Sequence, residues 1–258
     1  MHYETIGYEV REGVAIVTLN RPAVKNALNT QMRAEITHAV QRAGTEARVA
    51  VLTGAGNAFC SGQDLGDRAN VANIDLERTL RDEYLPMIRM IVDSPVPTIA
   101  AVNGAAAGAG ANLALACDVV IATESAVFLQ AFARIGLIPD AGGSHFLPRQ
   151  IGLARAMGAA LFAEPVPARK AEAWGMIWEA VADADFAAQW WHRALHLAKG
   201  PTRAYAAARE ALRASSQTDL QTQMELEAQL QGRCGLTRDF KEGVVAFLEK
   251  RPAHFEGR

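Results

Sequence analysis

The sequence predicts an α/β protein, because short β-branched runs alternate with segments of helical periodicity over most of the chain and the last part reads as helix alone. Val14 to Leu19 ("VAIVTL") and residues 49–53 ("VAVLT") are apolar and end in turn formers, as buried strands do. Between them Met32, Ile36, Ala39 and Val40 recur on one helical face, and Asn29 or Thr30 stands where an N-cap belongs. The unit then returns: residues 98–102 are strand-like, 111–116 helix-like and 119–122 strand-like. No copied motif accompanies the recurrence, so the repeating units are structural.

After Gly200 and Pro201 the texture changes. Residues 202–213, 219–230 and 237–250 carry no strand signal, which divides the chain into a core over residues 1–199 and a helical region over residues 200–258. Met224, Leu226, Leu230, Val244, Val245, Phe247 and Leu248 are more apolar surface than a short tail needs. A second subunit is expected to cover them.

Composition narrows the function classes. Half of the 258 residues are hydrophobic, and 26 basic side chains face 28 acidic ones, so no basic surface is available for a nucleic acid. Three scattered cysteines, Cys60, Cys117 and Cys234, and a charged N-terminal segment without a signal-peptide core point to the cytoplasm. Residues 98–117 imitate a membrane span in length. Asn103 and Asn112 inside the run, Pro97 before it and Asp118 after it speak against that reading, and no membrane partner is expected.

Two glycine-rich loops carry the chemical signal. Residues 54–65 ("GAGNAFCSGQDL") and 103–112 ("NGAAAGAGAN") each follow a buried strand and put small residues where a backbone must approach a ligand. The N–H groups near Ala109 and Gly110 would emerge from the start of a helix carrying Leu113 and Leu115, where developing negative charge is favoured. Tight turns alone would also explain such loops. A dinucleotide fingerprint fails at Leu113, and no glycine loop continues into the Lys-Ser or Lys-Thr of a triphosphate-binding loop. Cys60 and Ser61 lack a neighbouring histidine and are read as ordinary small residues. His192 and His196 lack the further ligand and base of a zinc site, so no metal is expected.

With these residues in view the chain resembles the enoyl-CoA hydratase/isomerase, or crotonase, superfamily. The resemblance rests on the ordered set "LNRPAVKNALN" (19–29), "FCSGQDL" (59–65), "PTIAAVNGAAAGAGANLALACD" (97–118), "IGLIPDAGG" (135–143) and "FKEGVVAFLEKRPAHFEG" (240–257). It implies a crotonase-like spiral of ββα units with a C-terminal helical trimerisation region, assembled as a homotrimer or a dimer of trimers. It implies an acyl-CoA thioester as ligand and no cofactor beyond the coenzyme A of the substrate. The oxyanion hole would use the backbone N–H groups of Gln63 and Ala109. The segments of Lys25, Ala27, Leu28, Ser61, Asp64 and Leu65 would hold the coenzyme, with Gly108, Phe132 and Ile135 near the acyl group and Phe247 and Lys250 approaching from the C-terminal helix.

The reaction follows from what the catalytic positions hold. The family's hydratases carry two glutamates where this sequence has Asn112 and Phe132, neither of which moves a proton at neutral pH. Asp140 remains, set between Leu137, Ile138 and Pro139 and the small residues 141–143, a neighbourhood that raises a carboxyl pKa. Pro-Asp before glycines is also a common turn spelling. The dehalogenase branch of the family needs a histidine and a tryptophan that are missing here. The run at 128–149 ("FLQAFARIGLIPDAGGSHFLPR") is similar to the isomerase branch of phenylacetate catabolism, whose aspartate serves epoxide ring expansion and double-bond migration between positions 3 and 2. The expectation is therefore an acyl-CoA isomerase with Asp140 as acid and base. A hydratase, and a non-catalytic binding protein of the same fold, remain the alternatives.

Overall fold

The computed structural model describes residues 2–67 and 75–258. Its chain begins with an antiparallel pair, β1 (Ile6–Arg11) and β2 (Val14–Leu19), and continues through α1 (Thr30–Glu46), β3 (Val49–Gly54), β4 (Ala58–Cys60), α2 (Leu76–Thr79), a π-helical turn (Leu80–Tyr84) and α3 (Leu85–Val92). There follow β5 (Thr98–Val102), β6 (Ala105–Ala107), α4 (Ala109–Leu115), β7 (Val119–Thr123) and β8 (Val127–Leu129). The core closes with α5 (Gly143–Phe162), β9 (Val166–Pro167), α6 (Ala168–Trp174), β10 (Glu179–Val181) and α7 (Phe186–Ala198). The C-terminal layer is α8 (Thr202–Ala214), α9 (Leu220–Gly235) and α10 (Arg238–Glu249).

Two sheets stand side by side. The larger has six strands in the order β1-β2-β3-β5-β7-β10, parallel from β2 onward. Its side chains alternate between two apolar layers: Val17, Leu19, Leu52, Ala100 and Val102 join Met32, Ile36 and Ile91 on one face. Val14, Ile16, Val49, Val51, Ile99 and Ile121 meet Phe186, Ala194 and Ala198 of α7 on the other. Burial on both faces explains the near-continuous β-branched runs. The smaller sheet, β4-β6-β8-β9, is built from two- and three-residue strands, of which β4, β6 and β8 follow β3, β5 and β7 in the chain and β9 follows α5. A strand of each sheet followed by a helix is the repeating unit, so the expected α/β class holds.

Most expected boundaries shift by one or two residues, while the helix expected over 219–230 runs on to Gly235. The Asn29 side chain caps α1 by accepting from the Met32 N–H at 2.9 Å. Helix α4 starts at Ala109, two residues earlier than its apolar pattern predicts, because its first turn is made of small residues that give no periodic signal. The span-like run 98–117 is divided among β5, β6 and α4, and no helix among the described residues is long and apolar enough to cross a membrane. The C-terminal layer is tied to the sheet by one carboxylate: Asp118 pairs with Arg209 at 2.7 Å and Arg213 at 2.8 Å on α8, while accepting from Thr98 N–H at the head of β5. That carboxylate is largely shielded from water, so removing either arginine would leave a poorly solvated charge and cost more than breaking an exposed pair.

Candidate active site

The first loop is shaped by a short parallel bridge between Leu28 and Gln63. Leu28 N–H donates to the Gly62 carbonyl at 2.7 Å, and Asp64 N–H donates to the Leu28 carbonyl at 3.1 Å. These two bonds bracket Gln63, so its own N–H points away from Leu28, towards the side on which the second loop lies. Gly62 makes the approach possible. Its φ is +95°, and a Cβ there would stand 2.8 Å from the Ala107 carbonyl and 3.5 Å from the Ala109 nitrogen.

Ala109 is the first residue of α4, where an N–H has no partner within the helix. The helix seats itself on β4 because Gly110 carries no side chain: a Cβ there would be 2.4 Å from the Cys60 carbonyl. Asn103 stitches the loops further back, accepting from Gly54 N–H at 3.1 Å and donating to the Gly56 carbonyl at 3.0 Å. The N–H groups of Gln63 and Ala109 thus come from two adjacent loops whose separation is fixed by glycine-to-backbone contact. Cys60 is fully buried and its thiol is pushed up to about 12 by burial, which makes it inert as a nucleophile at neutral pH.

Asp140 is joined to the second loop through α4, by way of Asn112. It heads a turn closed by Gly143 N–H to the Asp140 carbonyl at 2.8 Å, with φ of 47° at Ala141 and 84° at Gly142. The turn spelling of this segment is therefore realised in the structure. Asn112, fully buried on α4, donates its amide to the same Asp140 carbonyl at 2.8 Å and accepts from Gln130 Nε2 at 2.8 Å. The residue that replaces a hydratase glutamate thus fastens the backbone of Asp140 to the helix that Ala109 opens. The Asp140 carboxyl is half-buried, its Oδ1 has no hydrogen-bond partner, and burial pushes its pKa up to about 6.

The coenzyme positions proposed from the sequence fall into two groups. Lys25, Ala27, Leu28, Ser61, Asp64 and Leu65 lie on the paired segments of the first loop: Ser61 N–H donates to the Lys25 carbonyl at 2.9 Å, and Arg21 joins the Ala27 carbonyl at 2.6 Å to the Asp64 carboxylate at 2.7 Å. Lys25 and Leu65 are exposed, whereas the Leu28 side chain is wholly buried and offers nothing to a ligand. Gly108 and Phe132 are neighbours beside the second loop, and Ile135 is exposed at the end of the 3-10 turn Ala131–Ile135. Phe247 and Lys250 are not brought to this cluster. Phe247 is exposed on α10, grouped with Pro201, Val244 and Phe255, and Lys250 is the left-handed cap of that helix.

Sequence reasoning passed over Arg33 and Tyr84. Arg33 is buried and donates to the Leu28 carbonyl at 2.5 Å and to Gln63 Oε1 at 3.1 Å; Tyr84 also donates to Gln63 Oε1. The available signal was a cation one residue from Met32 and three from Ile36 on the apolar face of α1.

Two glycine-shaped loops bring the backbones of residues 62–63 and 107–109 together, and the Asp140 turn is fastened to the helix that Ala109 opens. The fold and the sequence assign that site to a known family. Residues 9–258 match the family model described as enoyl-CoA hydratase/isomerase, and the chain belongs to this family, within the crotonase superfamily. It is 60% identical over 258 residues to a Rhodobacter capsulatus protein named "Probable enoyl-CoA hydratase", covering 100% of both chains. It is 43% identical over 261 residues to the 1,2-epoxyphenylacetyl-CoA isomerase of Escherichia coli, covering 99% of each. The crystal structure of an enoyl-CoA hydratase from Bacillus anthracis superposes with a TM-score of 0.91 at 32% identity, over 99% of this chain and 100% of the other.

Proposed function

We propose that the protein isomerises an acyl-CoA thioester, a phenylacetyl-CoA ring epoxide, a 3-enoyl-CoA or both, with Asp140 as the acid and base. The observation that carries this reading is the Asp140 carboxyl, half-buried, with a free Oδ1 and a pKa near 6, held by Asn112 to the helix that begins at Ala109. For a 3-enoyl-CoA, Asp140 takes a proton from C2 and the electron pair moves onto the thioester oxygen. The Gln63 and Ala109 N–H groups hold that oxygen. The enolate then collapses, the double bond settles between C2 and C3, and Asp140 returns its proton to C4. Atoms and charges balance with no co-reactant, and the carboxyl ends in its starting state.

The coenzyme lies along the first loop, with the exposed Lys25 ammonium offered to its negative charge and Ala27, Ser61, Asp64 and Leu65 forming the wall. Gly108, Phe132 and Ile135 border the acyl group. Residues 68–74, which belong to the stretch between Leu65 and Met90 expected to shape the acyl pocket, lie outside the described residues. The name of the Escherichia coli relative supports ring-epoxide isomerisation, and that of the Rhodobacter capsulatus relative favours hydration as the second reading. Asn112 and Phe132 count against the second, since an amide and a phenyl ring carry no proton. A half-buried Asp140 with a free Oδ1 and a raised pKa counts against a purely binding role.

The test compares three substrates. A 3-enoyl-CoA and the phenylacetyl-CoA epoxide are expected to turn over while crotonyl-CoA hydration stays at background. Rapid hydration of crotonyl-CoA would replace this reading with the second.

The C-terminal layer leaves Leu220, Met224, Leu236, Phe240, Phe247 and Leu248 exposed, each by more than half of its surface. We propose that other copies of the chain cover them in a homotrimer or a dimer of trimers, an assembly in which Phe247 and Lys250 can reach a neighbour's coenzyme. The expected mass in solution at micromolar concentration is that of three or six chains. A monomer there would remove this assembly.

A further inference from the structure

Gln63 contributes only its backbone N–H to the proposed oxyanion hole, yet its side chain is held more firmly than a loop residue requires. Arg33 Nη1 and the Tyr84 hydroxyl both donate to Gln63 Oε1. The same Arg33 Nη1 reaches the Leu28 carbonyl at 2.5 Å, the acceptor that also takes Asp64 N–H and thereby sets which way Gln63 N–H points. The guanidinium is 1% exposed, lies 4.9 Å from the centre of the Tyr84 ring and is bound on its far side by Glu83 through Nε at 2.9 Å. Tyr84 is 3% exposed and ends the π-helical turn, a locally widened turn with i→i+5 bonds of a kind frequent at functional sites.

Burial, and after it the charge of Asp140, push the Tyr84 phenol above its usual range against the pull of Arg33, so its hydroxyl remains a donor throughout the working pH range.

We propose that Arg33 and Tyr84 are positioning residues for catalysis, which fix the aim of the Gln63 N–H by holding the Gln63 side-chain carbonyl and, through Arg33, the Leu28 carbonyl of the bracketing bridge. The inference rests on the oxyanion reading of Gln63 and Ala109. A loosened Gln63 still binds the coenzyme but meets the enolate oxygen off its best line. The effect therefore falls on turnover and spares binding.

The experiment uses the full chain, trans-3-hexenoyl-CoA as substrate, and hexanoyl-CoA and S-hexyl-CoA as unreactive ligands with and without the thioester oxygen. Tyr84→Phe removes one hydroxyl and is expected to lower kcat by roughly threefold to tenfold, the worth of one ordinary hydrogen bond, with KM within about twofold of the parent. Gln63→Ala keeps the N–H and loses the grip, so adding Tyr84→Phe to it is expected to cost nothing further. Arg33→Lys, which keeps the charge and loses the fork, is expected to lower kcat more than Tyr84→Phe, with melting curves reporting whether it folds. Unchanged kcat in Tyr84→Phe, or losses that add in the double variant, overturns the proposal. The ligand pair separates the two layers of the argument. If the parent binds S-hexyl-CoA as tightly as hexanoyl-CoA, the oxyanion reading itself fails; if it prefers hexanoyl-CoA and Tyr84→Phe leaves turnover untouched, only the positioning role fails.

Discussion

Asp140→Asn is expected to lower isomerase turnover by roughly 10²-fold to 10⁴-fold, the range for removing a general acid–base group, while leaving the affinity for an unreactive acyl-CoA within a few-fold of the parent. The amide fills the same space, and the carbonyl that Asn112 and Gly143 hold belongs to the backbone, so the turn keeps its anchors. What disappears is the group that takes the C2 proton. Because that group must be ionised to act as a base, kcat/KM of the parent is expected to rise with pH and level off above about 6, where the buried carboxyl titrates. Stability moves the other way. A carboxyl whose folded pKa lies above its unfolded value of 3.8 favours the folded state fully below that value, and the benefit is lost as pH rises through about 6. At pH 7 the parent therefore carries a charge that its surroundings do not solvate, a penalty of up to about 3 kcal/mol before solvent screening. Asp140→Asn is expected to melt no lower than the parent at pH 7, with its relative advantage shrinking towards pH 4. Retained turnover would show that another base operates, and a lower melting temperature at pH 7 would show that the carboxylate is better solvated than its free Oδ1 implies.

Gly62→Ala carries the second large effect. A Cβ at position 62 would lie 2.8 Å from the Ala107 carbonyl on a residue whose φ is +95°, so the two loops must move apart or the backbone must leave its conformation. Either response changes the gap between the Gln63 and Ala109 N–H groups. Turnover is expected to fall by roughly 10²-fold to 10³-fold, the loss seen when one oxyanion donor is removed. Gly158→Ala on α5, where an added Cβ meets nothing within 4 Å, is the control and is expected to keep full turnover. Kinetics and melting curves on both proteins check the pair. Equal activity in the Gly62 and Gly158 variants would mean that the spacing of the loops does not set the rate.

The parts of the fold that sequence reasoning reached are those where burial imposes a period. The strands of the large sheet read clearly because both of their faces are covered, and α1 because Asn29 caps it and its inner face is apolar. The smaller sheet was missed. Strands such as Ala105–Ala107 are three small residues long and have no alternation to read, so they looked like part of a glycine-rich loop. In the site, Asp140 was legible from its apolar neighbours in sequence, and the two loops from their small residues. Arg33, Tyr84 and Gln130 were not, because each acquires its partner from a distant element and nothing local marks a side chain that will close a network. Phe247 and Lys250 were assigned by resemblance alone, and one chain does not carry them to the loops.

Asn112 leaves its mark on what this backbone can become. Its amide nitrogen is committed to the Asp140 carbonyl, its oxygen to Gln130, and Gly143 sits so close that a methyl group there would overlap the amide. A longer acidic side chain at this point crowds the Asp140 turn, and that turn presents the carboxyl proposed as acid and base. The two ways of placing a proton carrier in this pocket are therefore rivals for one volume. Positions 112, 130 and 143 therefore share one packed volume, and a glutamate introduced at 112 alone meets both Gln130 and Gly143.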